Sequence, residues 1–133
     1  MRVGNSVSSS KISEILNRVR QPFNVNVLGN VAAVAALEDE EFVVESRTLN
    51  REQMNRICEN LQRLGLNWIP SVGNFLSVDT GRLAASVFQR MLRSGVIVRL
   101  IENYGMPNHL RITVGLEEEN DRAHSALGLA MVE

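Results

Sequence analysis

Two arginines in the second half of the chain are the residues best suited to bind a ligand. Arg99 lies in the apolar stretch VIVRL, and Arg111 lies in HLRITVG. A guanidinium group is permanently charged, and its planar set of donors fits a carboxylate or a phosphate. Because burying it without a partner is costly, each arginine must pair with an internal carboxylate, reach solvent at a sheet edge, or bind an anionic ligand. Spacing alone favours the first two alternatives.

The other titratable side chains show weaker patterns. His109 precedes a predicted strand and His124 lies in a predicted helix, and they are not spaced as metal ligands. Glutamates 117–119 form the first turn of a predicted helix, where carboxylates stabilise the positive end of the helix dipole. Lys11 follows a run of serines, and Cys58 lies on the apolar side of a helical pattern. We therefore predict no metal site, an exposed lysine and a structural thiol.

The composition is typical of one soluble globular domain. The 133 residues are 44% hydrophobic and 22% charged, which is enough to form a core. The formal charge of -1 is interspersed and gives no basic surface, so we expect no nucleic acid partner. Residues 1–10 lack the apolar core of a signal peptide, and the longest uncharged run is too short and too polar to span a membrane. With a single cysteine, we expect a reduced, cytoplasmic protein.

Apolar spacing predicts two helices near the N-terminus. The apolar residues between positions 12 and 19 follow the i, i+3, i+4, i+7 pattern of an amphipathic helix, which Pro22 ends. The segment Val25 to Leu37 is apolar all round, which predicts a short helix buried on most sides.

A third helix is predicted from the acidic residues 38–41 to Leu64. Gly65 follows as a natural end. Two pairs spaced i,i+4 are predicted to support this helix, Glu52 with Arg56 and Glu59 with Arg63.

The pattern changes after Gly65 to short strands that alternate with helices. The predicted elements are two strands in LNWIP and NFLSVD, a helix over 82–94, a strand over 96–100, a loop over 103–108, a strand over 109–114 and a helix over 117–131. This order predicts an α/β (α+β layer) structure with a small mixed or antiparallel sheet covered by helices. No repeat or linker divides the chain, so a single domain over residues 1–133 is predicted.

Four separated motifs resemble those of one enzyme family. They are NRVRQPFNVN at 17–26, IPSVGNFLSVD at 69–79, GVIVRL at 95–100 and YGMPNHLRITVGLEEEN at 104–120. In this order they closely resemble the C-terminal part of histidinol-phosphate aminotransferase. The resemblance implies a fold-type I homodimer that uses pyridoxal 5'-phosphate to act on histidinol phosphate and 2-oxoglutarate in histidine biosynthesis. It also implies a helical connection to the large domain over 1–37 and the small domain over 38–133.

The resemblance assigns roles to individual residues. It implies that Arg111 grips the substrate carboxylate in a bidentate pair and that Arg99 lies toward the substrate phosphate. Arg2 matches an arginine that contacts the cofactor phosphate, and Asn74 is expected to be structural. The family's Schiff-base lysine lies before the position of Arg2, so we expect this chain to lack it, and Lys11 does not match it.

Three hypotheses follow for the function. The first is the small-domain portion of a histidinol-phosphate-type aminotransferase. Alone, this portion is expected to be inactive and to bind no cofactor stably. Its expected partner is the missing large domain, which binds pyridoxal phosphate. The second is a binding module that holds a phosphorylated or carboxylated metabolite without chemistry. The third is an assembly piece for a separately encoded cofactor domain. The apolar segment Val25 to Leu37 also predicts self-association.

Overall fold

The computed structural model describes residues 3–132, and the chain divides into two compact units, Met1–Val44 and Glu45–Glu133. The helices are α1 (Ser10–Val19), α2 (Val27–Glu38), α3 (Glu40–Arg63), α4 (Ala84–Arg93) and α5 (Glu117–Val132). The strands are β1 (Asn67–Ile69), β2 (Phe75–Asp79), β3 (Arg99–Leu100) and β4 (His109–Thr113), and a 3-10 turn covers Glu102–Tyr104. The unit boundary falls within α3, and the domain boundary at 37/38 stays a prediction.

The first unit is helical and buries little of its apolar surface. Both predicted helices are confirmed, and the side chain of Asn26 begins α2 by accepting a hydrogen bond of 2.7 Å from the N–H of Gly29. The predicted burial of Val25 to Leu37 is wrong, because Gly29 is the one buried residue of α2 and Leu28 is 73% exposed. A helix is buried on most sides only when several elements surround it, and the described part of this unit offers only α1 and the first turn of α3.

Two helices of the second unit end at glycines with positive φ. After α3, the N–H of Leu66 donates to the carbonyl of Leu61 and that of Gly65 to Gln62, both at 3.0 Å. Gly65 has φ 68°, and Gly95 after α4 has φ 75°. Glycine adopts this backbone without the steric cost that a Cβ brings. Both predicted helix ends are confirmed.

The sheet has the strand order β1-β2-β4-β3, and all neighbouring strands are antiparallel. Strands β2 and β4 pair over five residues, whereas β3 pairs only through Arg99↔Arg111 and Leu100↔Leu110. The strand predicted over 96–100 therefore forms only in its last two residues. The reason is that the N–H of Val96 donates to the carbonyl of Met91 at the end of α4, at 2.9 Å, so it does not pair with a strand.

The core lies on one face of this sheet. Because side chains alternate along a strand, Leu110 and Ile112 of β4 are buried while Arg111 between them lies on the opposite face. The buried apolar side chains of the helices that cover the core face are Ile57, Leu61, Ala84, Val87, Met91, Ala126, Leu127 and Ala130. The predicted layer of helices over a small antiparallel sheet is confirmed.

The ion pairs predicted within α3 are wrong. Arg56 instead donates to both carboxylate oxygens of Asp121 at 2.8 Å and pairs with Glu117, so it joins α3 to α5. These contacts, the bond to Glu117 first, raise the pKa of Arg56. Arg63 donates to Asn60 at 3.2 Å. Arg56 pairs with the two carboxylates of α5 because they offer more than Glu52, the single partner that spacing within α3 predicts.

Candidate anion-binding site

The register of β3 and β4 brings Arg99 and Arg111 together. Their Cα atoms are paired across the two strands, so both side chains leave the sheet on the same face. Like charges at such positions destabilise a sheet unless an anion lies between them. Neither arginine forms an ion pair within residues 3–132, so the internal pair that spacing favoured is absent there. Arg99 is exposed on the edge strand β3, which is the edge position that spacing also favoured, whereas Arg111 is half-buried on an inner strand. Their shared face allows both guanidinium groups to contact one anion.

Arg111 is held more firmly than its neighbour. Strand β4 is bonded to β2 on one side and β3 on the other, which fixes the Arg111 backbone. The ring of Phe75 covers one side of the guanidinium, with its centroid 5.0 Å from Cζ. The Nε of Arg111 is buried and has no hydrogen-bond partner in the described part of the chain. Since an unsatisfied buried donor is costly, this atom favours an anion that accepts from it.

A cleft of about 660 Å³ adjoins the two arginines, between segments Gly95–Arg99 and Arg111–Gly115. It exists because β3 is short, so the chain before Arg99 diverges from β4. Glu119 and Arg122 of α5 complete the charged part of its wall. This volume is within the range of small-molecule sites, roughly 300–1,000 Å³.

A buried amide fixes the loop that follows β4. The side chain of Asn120 accepts from the N–H of Gly115 at 3.0 Å and donates to its carbonyl at 2.9 Å. It also donates to the side-chain oxygen of Gln53 on α3 at 3.0 Å. Asn120 is only 5% exposed and Gln53 only 7%. The cleft wall at Gly115 is therefore tied to both α3 and α5.

The remaining titratable residues do not form a second centre. His109 begins β4 and His124 lies on α5, both half-buried, and the buried Nδ1 of His109 has no partner within residues 3–132. Burial raises the pKa of the Cys58 thiol, which agrees with a structural role. In the described part of the chain no cluster of three or more metal-ligating side chains exists. None of the described helices combines the length and apolar character needed to cross a membrane.

The other residues singled out in the sequence have separate outcomes. Arg2 lies outside the described residues. Lys11 is exposed on α1, as predicted. The carbonyl of Asn74 accepts from the N–H of Val114 at 2.8 Å, which extends the pairing of β2 and β4 by one step. Because the backbone makes this contact, the structural role expected for the Asn74 side chain stays a prediction.

Three residues of the site were missed by sequence reasoning. They are Phe75, which contacts Arg111, and Asn120 and Arg122, which line the cleft. Strand register and helix packing bring them there. The alternation in FLSVD could have indicated that Phe75 lies on the face opposite Leu76 and Val78. No local pattern indicates Arg122.

Residues 1–127 match the family described as Aminotransferase class I and II. The chain belongs to this family. It is 56% identical over 127 residues to histidinol-phosphate aminotransferase 2 of Pseudomonas fluorescens (strain Pf0-1), covering 96% of this chain and 34% of that protein. It is 50% identical over 127 residues to histidinol-phosphate aminotransferase 1 of Mannheimia succiniciproducens, covering 96% of this chain and 35% of that protein. The chain thus spans about a third of the length of the curated relatives it matches.

Solved structures of aminotransferases share this fold. Histidinol-phosphate aminotransferase from Sinorhizobium meliloti in complex with pyridoxal-5'-phosphate matches with a TM-score of 0.82 and 25% identity, covering 92% of this chain and 34% of that one. A putative aminotransferase from Burkholderia pseudomallei matches with a TM-score of 0.82 and 27% identity, covering 92% of this chain and 38% of that one. The predicted fold class and the family resemblance are confirmed.

The described residues do not fit the covalent anchor of pyridoxal phosphate. The aldehyde of this cofactor forms a Schiff base with a lysine held in an enclosed site. Lys11 is the single lysine of the sequence, and it is exposed on α1. The charge and lining of the arginine cleft fit an anionic group.

Proposed function

We propose that this chain supplies the substrate-binding arginines of a histidinol-phosphate aminotransferase, a pyridoxal-phosphate enzyme of histidine biosynthesis. The observation that carries the proposal is the paired position of Arg99 and Arg111 beside a cleft, with no carboxylate partner in the described part of the chain. The relatives named above support the substrate. In this proposal Arg111 binds a carboxylate of 2-oxoglutarate and Arg99 lies toward the phosphate of histidinol phosphate, which has no carboxylate.

The local geometry of Arg111 suits such a contact. A charge-assisted hydrogen bond contributes roughly 1.5–3 kcal/mol, and a bidentate pair also fixes the orientation of the ligand. The Phe75 ring 5.0 Å away restricts the guanidinium before the ligand arrives. The buried Nε is already removed from water, so an acceptor restores a lost hydrogen bond at that atom.

Catalysis requires groups other than these arginines. Transamination needs a lysine as covalent anchor and proton carrier, and bound pyridoxal phosphate supplies the electron sink. Because Lys11 is exposed, we propose that the 133-residue chain does not transaminate alone. Its proposed partner is the large domain of the enzyme, which binds the cofactor. Borohydride reduction with pyridoxal phosphate, followed by intact mass, should give no stoichiometric adduct, and a single adduct on Lys11 would contradict this.

The binding role is tested by calorimetric titration of the chain with histidinol phosphate and 2-oxoglutarate. Arg111→Ala should weaken 2-oxoglutarate binding about tenfold or more, because it removes a charge-assisted contact to a carboxylate. Arg111→Lys should recover only part of the loss, since an ammonium cannot bind in the bidentate geometry. The control is Arg82→Ala, which removes an exposed arginine outside the cleft lining. Equal affinity of wild type and Arg111→Ala would refute the proposal.

A binding module without chemistry is the second candidate. The same cleft and the exposed Lys11 favour it, since ligand binding at the arginines requires no cofactor. Mixing the chain with a large cofactor-binding domain of a relative separates the two. Restored transamination supports the aminotransferase proposal and the assembly role, whereas binding without restored activity supports the module.

We further propose that the protein is cytoplasmic, binds no nucleic acid and self-associates through α2. Leu28, Val31 and Leu37 are 73%, 64% and 73% exposed, which is a large apolar area on one short helix. Val34→Glu should shift sedimentation velocity toward monomer, whereas the control Gln89→Glu, at an exposed position of α4, should not. A wild-type chain that is monomeric at high concentration would contradict self-association.

A further inference from the structure

We propose that Arg122 is a third anion-binding residue of the cleft and makes the site selective for a phosphomonoester over a singly charged anion. This inference rests on the proposed function, because it extends the site formed by Arg99 and Arg111. The ligand group is a terminal phosphate that carries close to two negative charges at neutral pH.

The position of Arg122 supports a contact with the ligand. Its side chain lines the cleft together with Arg99 and Arg111, although it comes from α5 and not from the sheet. It is exposed and forms no ion pair within residues 3–132. A Cβ added at Gly95 would lie 2.7 Å from Nη2 of Arg122, so the glycine permits the guanidinium to lie against this turn. The guanidinium therefore lies beside Gly95, where the segment that carries Arg99 begins.

The charge balance of the cleft indicates which anion it fits. Three guanidinium groups and one carboxylate, that of Glu119, line it. The Glu119 carboxylate also accepts from the N–H of Leu116 at 2.8 Å, which occupies one of its oxygens. The net charge of about +2 complements a phosphomonoester, whose charge is about -1.5 to -2. A singly charged ligand would leave one cation without a partner.

Arg122 also lies beside the C-terminal end of α4, where a cation stabilises the helix dipole. Arg93 in the last turn of α4 is exposed and can serve the same purpose, but it does not line the cleft. Arg93→Gln is therefore a matched control, because it removes the same charge from the same helix end. A purely structural role of Arg122 would make the two variants alike in ligand binding.

The experiment compares methyl phosphate, a monoester, with dimethyl phosphate, which carries one charge. Affinities are measured by NMR titration of the full chain. Arg122→Gln should weaken methyl phosphate roughly threefold to tenfold, as expected for one partly solvated ionic contact, and leave dimethyl phosphate within about twofold. Arg122→Lys should recover most of the loss. Arg93→Gln should leave both affinities within about twofold, and circular dichroism shows whether each variant is folded.

Each outcome separates this inference from the proposed function. If Arg122→Gln binds both esters like wild type, or weakens both equally, the inference is overturned while the anion site stands. If Arg111→Ala keeps wild-type affinity for 2-oxoglutarate, the proposed function fails independently. A wild-type chain that binds 2-oxoglutarate but neither ester refutes only the phosphate assignment. Absence of binding to any of these anions refutes both.

Discussion

Asn120→Ala is expected to destabilise the second unit strongly, although it removes only one amide. The substitution removes two hydrogen bonds to Gly115 and one to Gln53. Gly115 is half-exposed and can bond to water, so its two bonds cost about 1 kcal/mol each. The side-chain oxygen of Gln53 is left buried, which costs about 1–3 kcal/mol. Alanine favours a helix over asparagine by about 0.5 kcal/mol, so the net loss is roughly 2.5–4.5 kcal/mol.

Urea unfolding followed by circular dichroism measures this loss. The midpoint should fall by on the order of 2 M, with little change in slope, given typical slopes for small domains. Asn55→Ala is the control, because Asn55 is exposed on α3 and gains the same helix propensity. It should change the free energy of unfolding by less than about 0.5 kcal/mol.

A double-mutant cycle tests the buried pair itself. Gln53→Met removes the acceptor, so the unsatisfied oxygen that makes Asn120→Ala costly is absent from the double variant. The combined loss should therefore be smaller than the sum of the single losses by about 1 kcal/mol or more. A loss below about 1 kcal/mol for Asn120→Ala, or strictly additive effects, would refute the reasoning.

Three further predictions concern single residues. Burial raises the pKa of the Cys58 thiol, so its alkylation by iodoacetamide should reach half its maximal rate above about pH 8.5, and a midpoint at or below that pH would contradict this. Keeping the thiol protonated in the folded state contributes stability at lower pH, and this contribution is lost as the pH rises through the folded pKa. Gly95→Ala and Gly65→Ala should each lower the free energy of unfolding in urea by about 1 kcal/mol, because both glycines have positive φ. Only Gly95→Ala should also weaken methyl phosphate binding, because its Cβ would displace the Arg122 side chain. Equal binding by the two variants would count against that contact. Arg56→Gln should lower the thermal midpoint at low salt and much less at high salt, since its ion pairs are exposed; an effect that salt leaves unchanged would oppose this.

The local elements of the fold could be predicted because their causes are local. A glycine with positive φ ends a helix through bonds to residues three and five positions earlier, as at Gly65 and Gly95. The same local bonding shortens β3, because Val96 donates to α4, and this consequence of the Gly95 turn was not anticipated. Periodicity identified α2 as a helix, but it does not say whether the chain supplies elements to cover it.

The site could be predicted only in part. The sequence pattern identifies Arg111 as a charged residue inside an apolar strand, and the family resemblance implies its role. Alternation assigns its face but not its register, so neither the pairing with Arg99 nor the contact with Phe75 could be derived. Arg56 shows the same limit, because its partners on α5 depend on helix packing and not on spacing within α3.

The difference in strand length between β3 and β4 gives the two arginines different dynamics. Arg111 lies in an inner strand, where exposing its amide requires the sheet to separate, so its hydrogen exchange should approach that of global unfolding. Arg99 begins a two-residue edge strand, which can open locally at small cost. An anion that bridges them would join a fixed arginine to a mobile one, and protection of the Arg99 amide would then rise with ligand occupancy. Binding would order the β3 edge, and part of the interaction free energy would be offset by lost conformational entropy.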